Sequence, residues 1–138
     1  KGVLTSWIMD LRAARQLGLP PTGHGARGLT SPPSASTSNL HVEAGIRSPA
    51  QMMQDMGTGL LVTEFIGSTI NMVTGDYSRG ASGFWIERGE IAYPVSGITV
   101  AGNLRNMFAT LEPASDLIFR GGMNVPSCYL GEMTIAGL

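Results

Sequence analysis

The 138 residues of this chain are the length of one ordinary domain and suffice for one hydrophobic core. Charged residues make up 14% and hydrophobic residues 43%, against roughly 25% charged in an average soluble domain, which excludes a disordered chain or a coiled coil. Nine Lys and Arg against ten Asp and Glu supply no basic excess for a nucleic-acid surface, and 19 glycines, about twice the ~7% of average usage, disfavour long helices.

In chain order, Thr5 to Leu17 is predicted as a helix, with Leu4, Ile8, Leu11 and Leu17 approximating one apolar stripe and Gly18 with Pro20-Pro21 stopping it. From Thr22 to Arg47 the chain is rich in Gly, Ser, Thr and Pro and follows no period of 2 or 3.6, which predicts a long loop. So long a loop points to a mobile functional segment or one that packs on something outside the chain. Ser48-Pro49 through Met56-Gly57 predicts a short helix. Ser48 caps it, Pro49 suits the first turn, and Gly57 provides a left-handed exit. Its Met52, Met53 and Met56 read either as helix core or as an adaptable binding surface.

Leu60 to Phe65 is β-favouring, and Ser82–Glu87 and Glu90–Val95 form a hairpin about Arg88-Gly89. Pro94 implies that the second strand lies at an edge or ends there. Ile98–Ala101 reads as a separate short strand. Asn103 then caps a helix over Leu104–Leu111 that stops before Pro113. Ile118-Phe119, Met123–Val125 and Tyr129–Ile135 suggest last strands, broken by Gly121-Gly122 and Pro126. The fold class is α+β: a β-rich mixed or antiparallel sheet with a few short helices, in a single domain over 1–138.

The chemistry-bearing residues are few. A zinc peptidase brings two histidines together one helical turn apart with a carboxylate between. His24 and His41 stand far apart in the irregular segment, and His41-Val-Glu43 lacks a second histidine. Both read as exposed loop histidines, although the tight run Thr22-Gly23-His24-Gly25 would also let His24 meet a partner or ligand. Cys128, the only cysteine, has no neighbouring base to form a thiolate and reads as a core residue. It cannot form an internal disulfide, so nothing asks for an oxidising compartment and the expectation is cytoplasmic. No apolar run approaches the roughly 20 residues of a membrane span. Gly57-Thr-Gly59 lacks the ending of a phosphate loop, and no Gly-x-Ser-x-Gly occurs. The start at Lys1 suggests a piece of something longer.

The candidate binding or interface segment is Thr74, Gly75, Asp76, Tyr77, Ser78, Arg79 and Gly80. Gly75 permits a turn and Asp76 bonds its own backbone. Gly80, Ala81 and Gly83 leave a strand whose backbone another chain approaches closely. A turn entering a core strand accounts for the same residues. Arg79 reads as the partner of a peptide carboxylate or of a surface ion pair.

Gly57-Thr-Gly-Leu-Leu-Val-Thr-Glu64, Val73-Thr-Gly-Asp-Tyr-Ser-Arg-Gly-Ala-Ser-Gly-Phe-Trp-Ile-Glu87 and Gly89-Glu-Ile-Ala-Tyr-Pro-Val95 together resemble the C-terminal part of the PmbA/TldD family. Members are often described as modulators of DNA gyrase. The similarity extends through Ile98-Thr-Val-Ala-Gly-Asn-Leu104 to Glu132-Met-Thr-Ile-Ala-Gly137, and back to Leu4-Thr-Ser-Trp7, Ala14-Arg-Gln-Leu-Gly-Leu19 and Thr22-Gly-His24. It implies a cytoplasmic, heteromeric zinc metallopeptidase acting on unfolded peptides in an enclosed chamber. In that assembly a TldD-type subunit holds zinc and a PmbA (TldE-type) subunit does not. Catalytic members take two histidines and a glutamate from an HExxxH helix and a third ligand from a cysteine near the C-terminus. This chain has no HExxxH, and the ligand cysteine falls near Val125 rather than at Cys128.

The wording Asp76 to Trp85 is closer to the PmbA type. The resemblance therefore implies a non-catalytic chain with no catalytic or metal residue and no cofactor of its own, zinc being in the catalytic partner. The expected partners are a TldD-like subunit or a second copy, with an unfolded peptide as substrate and neither nucleic acid nor membrane. Two other readings stand beside it: a catalytic zinc peptidase whose HExxxH lies upstream of Lys1, and a purely structural or interaction domain.

Overall fold

Local capping and turn chemistry decide where the elements of this protein begin and end. The computed structural model describes residues 3–137. In chain order the elements are α1 (Leu11–Leu17), β1 (Gly25–Ala26), β2 (Ser34–Ala35), β3 (Leu40–His41), α2 (Pro49–Met56), β4 (Gly59–Ile70), β5 (Asp76–Glu87), β6 (Glu90–Asn103), α3 (Leu104–Thr110), β7 (Glu112–Pro113), β8 (Met123–Asn124), β9 (Cys128–Tyr129) and β10 (Thr134–Ala136). The class is α+β, dominated by an antiparallel sheet of order β10-β6-β5-β4; the pair β3-β8 is parallel. Two compact units result: Lys1–His41 with Phe119–Asn124, and Val42–Ile118 with Val125–Leu138.

In the first unit the helix begins later than the apolar stripe suggests. Asp10 is extended and its carboxylate accepts the Ala13 N–H at 2.7 Å, which fixes it as the N-cap and leaves residues 3–10 without helical structure. Gly18, left-handed at φ 65°, closes the helix. The stripe is not the buried face either: Leu4, Leu11 and Leu17 are exposed, whereas Met9 and Ala14 are buried. The expected loop over 22–47 contains three two-residue strands. Such pairing needs only backbone groups, so it leaves no period in the sequence. The Thr22 hydroxyl receives the Met9 N–H at 2.9 Å and donates to the Met9 carbonyl at 3.2 Å. Asn124, buried, makes three side-chain hydrogen bonds: its Oδ1 accepts the Arg120 and Gly121 N–H groups, and its Nδ2 donates to the Gly121 carbonyl.

In the second unit α2 has the expected bounds. Ser48 Oγ accepts the Gln51 N–H at 3.2 Å and Gln51 Oε1 accepts the Ser48 N–H at 2.8 Å, a reciprocal capping box. Just before it, Arg47 forks onto Glu112, its Nε donating at 2.7 Å, and also pairs with Asp55 of α2. The β5–β6 hairpin turns at Arg88 and Gly89, both at positive φ (53° and 80°), the geometry of a type I′ turn that matches strand twist. A Cβ at Gly89 would lie 2.7 Å from Gln54 Cα, so glycine also lets the turn abut α2.

Pro94 does not end its strand, and Ile98–Ala101 is not a separate one: β6 runs to Asn103. The proline faces Phe84 of β5, while β10 covers only Thr99–Ala101 on the other side, so Pro94 occupies a locally unpaired edge where its missing N–H costs nothing. Asn103 caps α3 as expected, accepting the Arg105 N–H at 3.1 Å. Ile118-Phe119 forms no strand. Ala81, Ile98 and Val100 form the core of the sheet, with Leu60, Val62, Tyr77, Val95, Met133 and Ile135 packed against them. Among the described residues no helix is long and apolar enough to cross a membrane.

Candidate functional site

The segment Thr74–Gly80 is a tied turn followed by the start of β5. Asn71 Oδ1 accepts the N–H groups of Val73 and Thr74, Thr74 Oγ1 donates to Asp76 Oδ2 at 2.6 Å, and Asn103 Nδ2 donates to the Thr74 carbonyl at 3.1 Å. Gly75 takes φ 81°, the conformation that only glycine adopts freely. Within β5, Tyr77 lies between Ile70 and Gly102, Ser78 between Thr69 and Ala101, and Gly80 between Ile66 and Thr99, with a register shift in β4 opposite Arg79. Close approach by another chain was expected at Gly80, Ala81 and Gly83. The strand that approaches is this chain's own β4, since a Cβ at Gly83 would fall 2.0 Å from the Leu61 carbonyl oxygen. Arg79 meets no carboxylate among the described residues; its Nε donates to the Gly67 carbonyl at 2.7 Å and its guanidinium stacks 4.9 Å over Phe65.

Among the described residues β4 and β10 are the outermost strands of the sheet, and a groove of about 720 Å³ is lined by residues of β4, β5, β6 and β10. One wall is the sheet, with Leu60, Val62, Phe65, Tyr77 and Trp85; the other is the segment 125–133. A smaller apolar recess of about 70 Å³ continues toward α2, lined by Met52, Met53, Met56 and Cys128 among others. Of the methionines Met52 is buried, and all three line the recess. Sequence reasoning missed the groove because the 125–133 wall is held by non-local bonds. Asp116 accepts both the N–H and the hydroxyl of Ser127, at 2.9 and 2.7 Å, and these bonds hold its carboxyl below the usual carboxylate range. β9 pairs with β7 and β10 with β6. Cys128 is half-buried; desolvation, and secondarily the Asp116 charge, push its thiol pKa up, opposite to what a nucleophile requires.

His24 is half-buried, with a buried Nδ1 that has no hydrogen-bond partner among the described residues. His41 is exposed and meets the Phe119 ring edge-on at 5.2 Å. Both histidines belong to the first unit and Cys128 to the second. Among the described residues no three His, Cys, Asp or Glu side chains converge as metal ligands, so the zinc implied by the resemblance finds no fitting donor set in them and no metal-dependent step is derived for this chain.

Residues 1–137 match the PmbA/TldA metallopeptidase C-terminal domain. Metalloprotease PmbA of Escherichia coli O157:H7 is 44% identical over 137 residues, covering 99% of this chain and 28% of that protein. A PmbA homolog of Haemophilus influenzae is 39% identical over 138 residues, covering 99% and 29%. The crystal structure of TldE from Thermococcus kodakarensis superposes with a TM-score of 0.84 at 24% identity, over 99% of this chain and 32% of that one, a likeness of fold. The chain therefore spans under a third of the length of these relatives.

Proposed function

This chain belongs to the PmbA/TldD metallopeptidase family as its C-terminal domain, and from that premise we propose that it serves a non-catalytic, TldE-type subunit of a heteromeric zinc peptidase that processes unfolded peptides in the cytoplasm. The observation that carries the subunit type is the identity to two PmbA proteins, 44% and 39%, over almost the whole chain. Zinc then belongs to a TldD-type partner, and this domain contributes to assembly and to the wall of the peptide chamber.

The outermost strand β4, which contributes Leu60, Val62 and Phe65 to the groove, favours an extended peptide over a folded substrate, because main-chain pairing is tolerant of sequence. Thr74–Gly80 contributes through its turn at Thr74 and Gly75 and through side chains of β5, the main chain of Tyr77, Ser78 and Gly80 being already paired on both sides. The test uses the full-length protein. Metal analysis of the subunit alone should find no stoichiometric zinc, and unfolded casein should be cleaved only once a TldD-type subunit is added. Stoichiometric zinc with casein cleavage by the subunit alone would overturn the reading. A crosslinkable unfolded peptide should label this subunit within the assembly; labelling confined to the partner would leave the domain a purely structural role.

A further inference from the structure

The small recess beside α2 is distinguished by what lines it. Four of its eight lining residues carry sulfur: Met52, Met53, Met56 and Cys128. Met56 lies three positions after Met53 and four after Met52 on α2, the spacings that bring side chains together on a helix surface. Cys128 arrives from β9, paired to β7 through Pro113, and the neighbouring Ser127 is tied to Asp116. On the opposite side the capping box and the Arg47–Asp55 pair hold α2. All of these residues belong to the second unit. Gly59 makes room for one of the sulfurs, since a Cβ there would clash with Met56 Sδ.

Methionine ordinarily fills irregular gaps in a core, and packed interiors leave few voids larger than a water molecule. Here three methionines surround a space of about 70 Å³ instead of closing it, several times the ~10–15 Å³ that a single water occupies. Among the described residues no carboxylate, imidazole or amide side chain lines the recess. Calcium and magnesium require oxygen ligands and zinc sites are built from Cys, His and carboxylates, whereas Cys and Met sulfurs together select Cu(I). Charge decides in the same direction. A Cys128 thiolate, a monovalent ion and neutral thioethers sum to no net charge, the state an apolar recess accepts, while a divalent ion would leave a positive charge out of water.

We propose that this recess is a binding site for a soft monovalent metal ion, Cu(I), held by the Cys128 thiolate and the thioethers of Met52, Met53 and Met56. Binding forms Cu–S bonds and breaks only the Cys128 S–H bond, whose proton passes to solvent. The ion arrives as Cu(I), so no electron is transferred. Met56, Leu61 and Cys128 also line the larger groove, which gives the ion its entry path. The site is distinct from the zinc assigned to a TldD-type partner and does not rest on the subunit reading.

The test is anaerobic titration of the full-length protein with Cu(I) against the chromophoric chelator bicinchoninate, followed by X-ray absorption at the copper edge. The protein should withdraw Cu(I) from the chelator into a shell of sulfur alone, and excess zinc should not displace it. Cys128→Ser should weaken binding at least about tenfold, and Met53→Leu with Met56→Leu, which conserves side-chain volume, should do the same. Met123→Leu, at an exposed methionine of the first unit, should change nothing. Should a thermal melt show Cys128→Ser to be unfolded, the volume-conserving pair carries the test. Nitrogen or oxygen donors in the copper shell, displacement by zinc, affinity unchanged in the methionine pair, or an equal loss in Met123→Leu overturns the site. A recess closed off by the rest of the longer protein would give unchanged affinity in the pair and overturn it too. None of these results touches the zinc and casein test of subunit type.

Discussion

Arg88 is a non-glycine residue held at φ 53°, a conformation that costs an L-residue roughly 1–2 kcal/mol. Its replacement by glycine removes that strain while loosening the unfolded chain, so Arg88→Gly should stabilise by about 0.5 kcal/mol, read as a higher denaturant midpoint at constant slope. Two carboxyls are expected to contribute to the acid limb of stability. The Arg47 hydrogen bonds lower the Glu112 pKa, and the Ser127 bonds lower that of Asp116. For depressed carboxyls the stabilisation is complete above the ordinary carboxylate range and is lost as pH falls through the folded values. Glu112→Gln and Asp116→Asn should each flatten the acid limb of a stability–pH curve while leaving its neutral plateau lower. Cys128, its pKa raised by burial, should react with iodoacetamide at pH 8 more slowly than a free thiol, and unfolding should abolish the difference.

At the scale of elements, what the sequence discloses is what nearest neighbours decide. Ser48, Pro49, Gln51 and Gly57 settle α2 among themselves, and Arg88-Gly89 settles the hairpin, so both are legible in a window of a few residues. Asn103 does the same for α3. Where a long-range partner arbitrates, the local signal misleads. Pro94 signals either an edge or a strand end, and only the pairing with β5 on one side alone decides for the edge. The apolar stripe from Leu4 to Leu17 looks like a helix face until the Asp10 cap moves its start to Leu11. Two substitutions separate these cases. Ser48→Ala should cost about 1 kcal/mol, the usual value of a lost cap, measurable as a shifted thermal midpoint. Gly83→Val should cost several times more, since even its Cβ would sit 2.0 Å from the Leu61 carbonyl oxygen and β4 would have to leave its register; loss of cooperative unfolding is the expected readout.

For the molecule as a whole, the family was legible because its wording is carried by the longest strands and their turns, Gly57–Glu64 and Val73–Val95. The groove was not, because its second wall has no period of its own and is held in place by Asp116, β7 and β6. The sequence pattern left Thr74–Gly80 open between a segment that another chain approaches and a turn entering a core strand; β5 is an inner strand, which only pairing shows. The parallel pair β3-β8 has a temporal consequence. It joins Leu40 to Met123 and His41 to Asn124, so the first unit closes a loop of about 80 residues, an entropic cost that grows only slowly with length. During synthesis the early half of that unit must wait on the ribosome until Asn124 has emerged, by which time all of β4, β5 and β6 has been made. The three long strands of the sheet can therefore pair before the N-terminal unit is complete, although they are encoded later than its first half, and β10 joins them only afterwards.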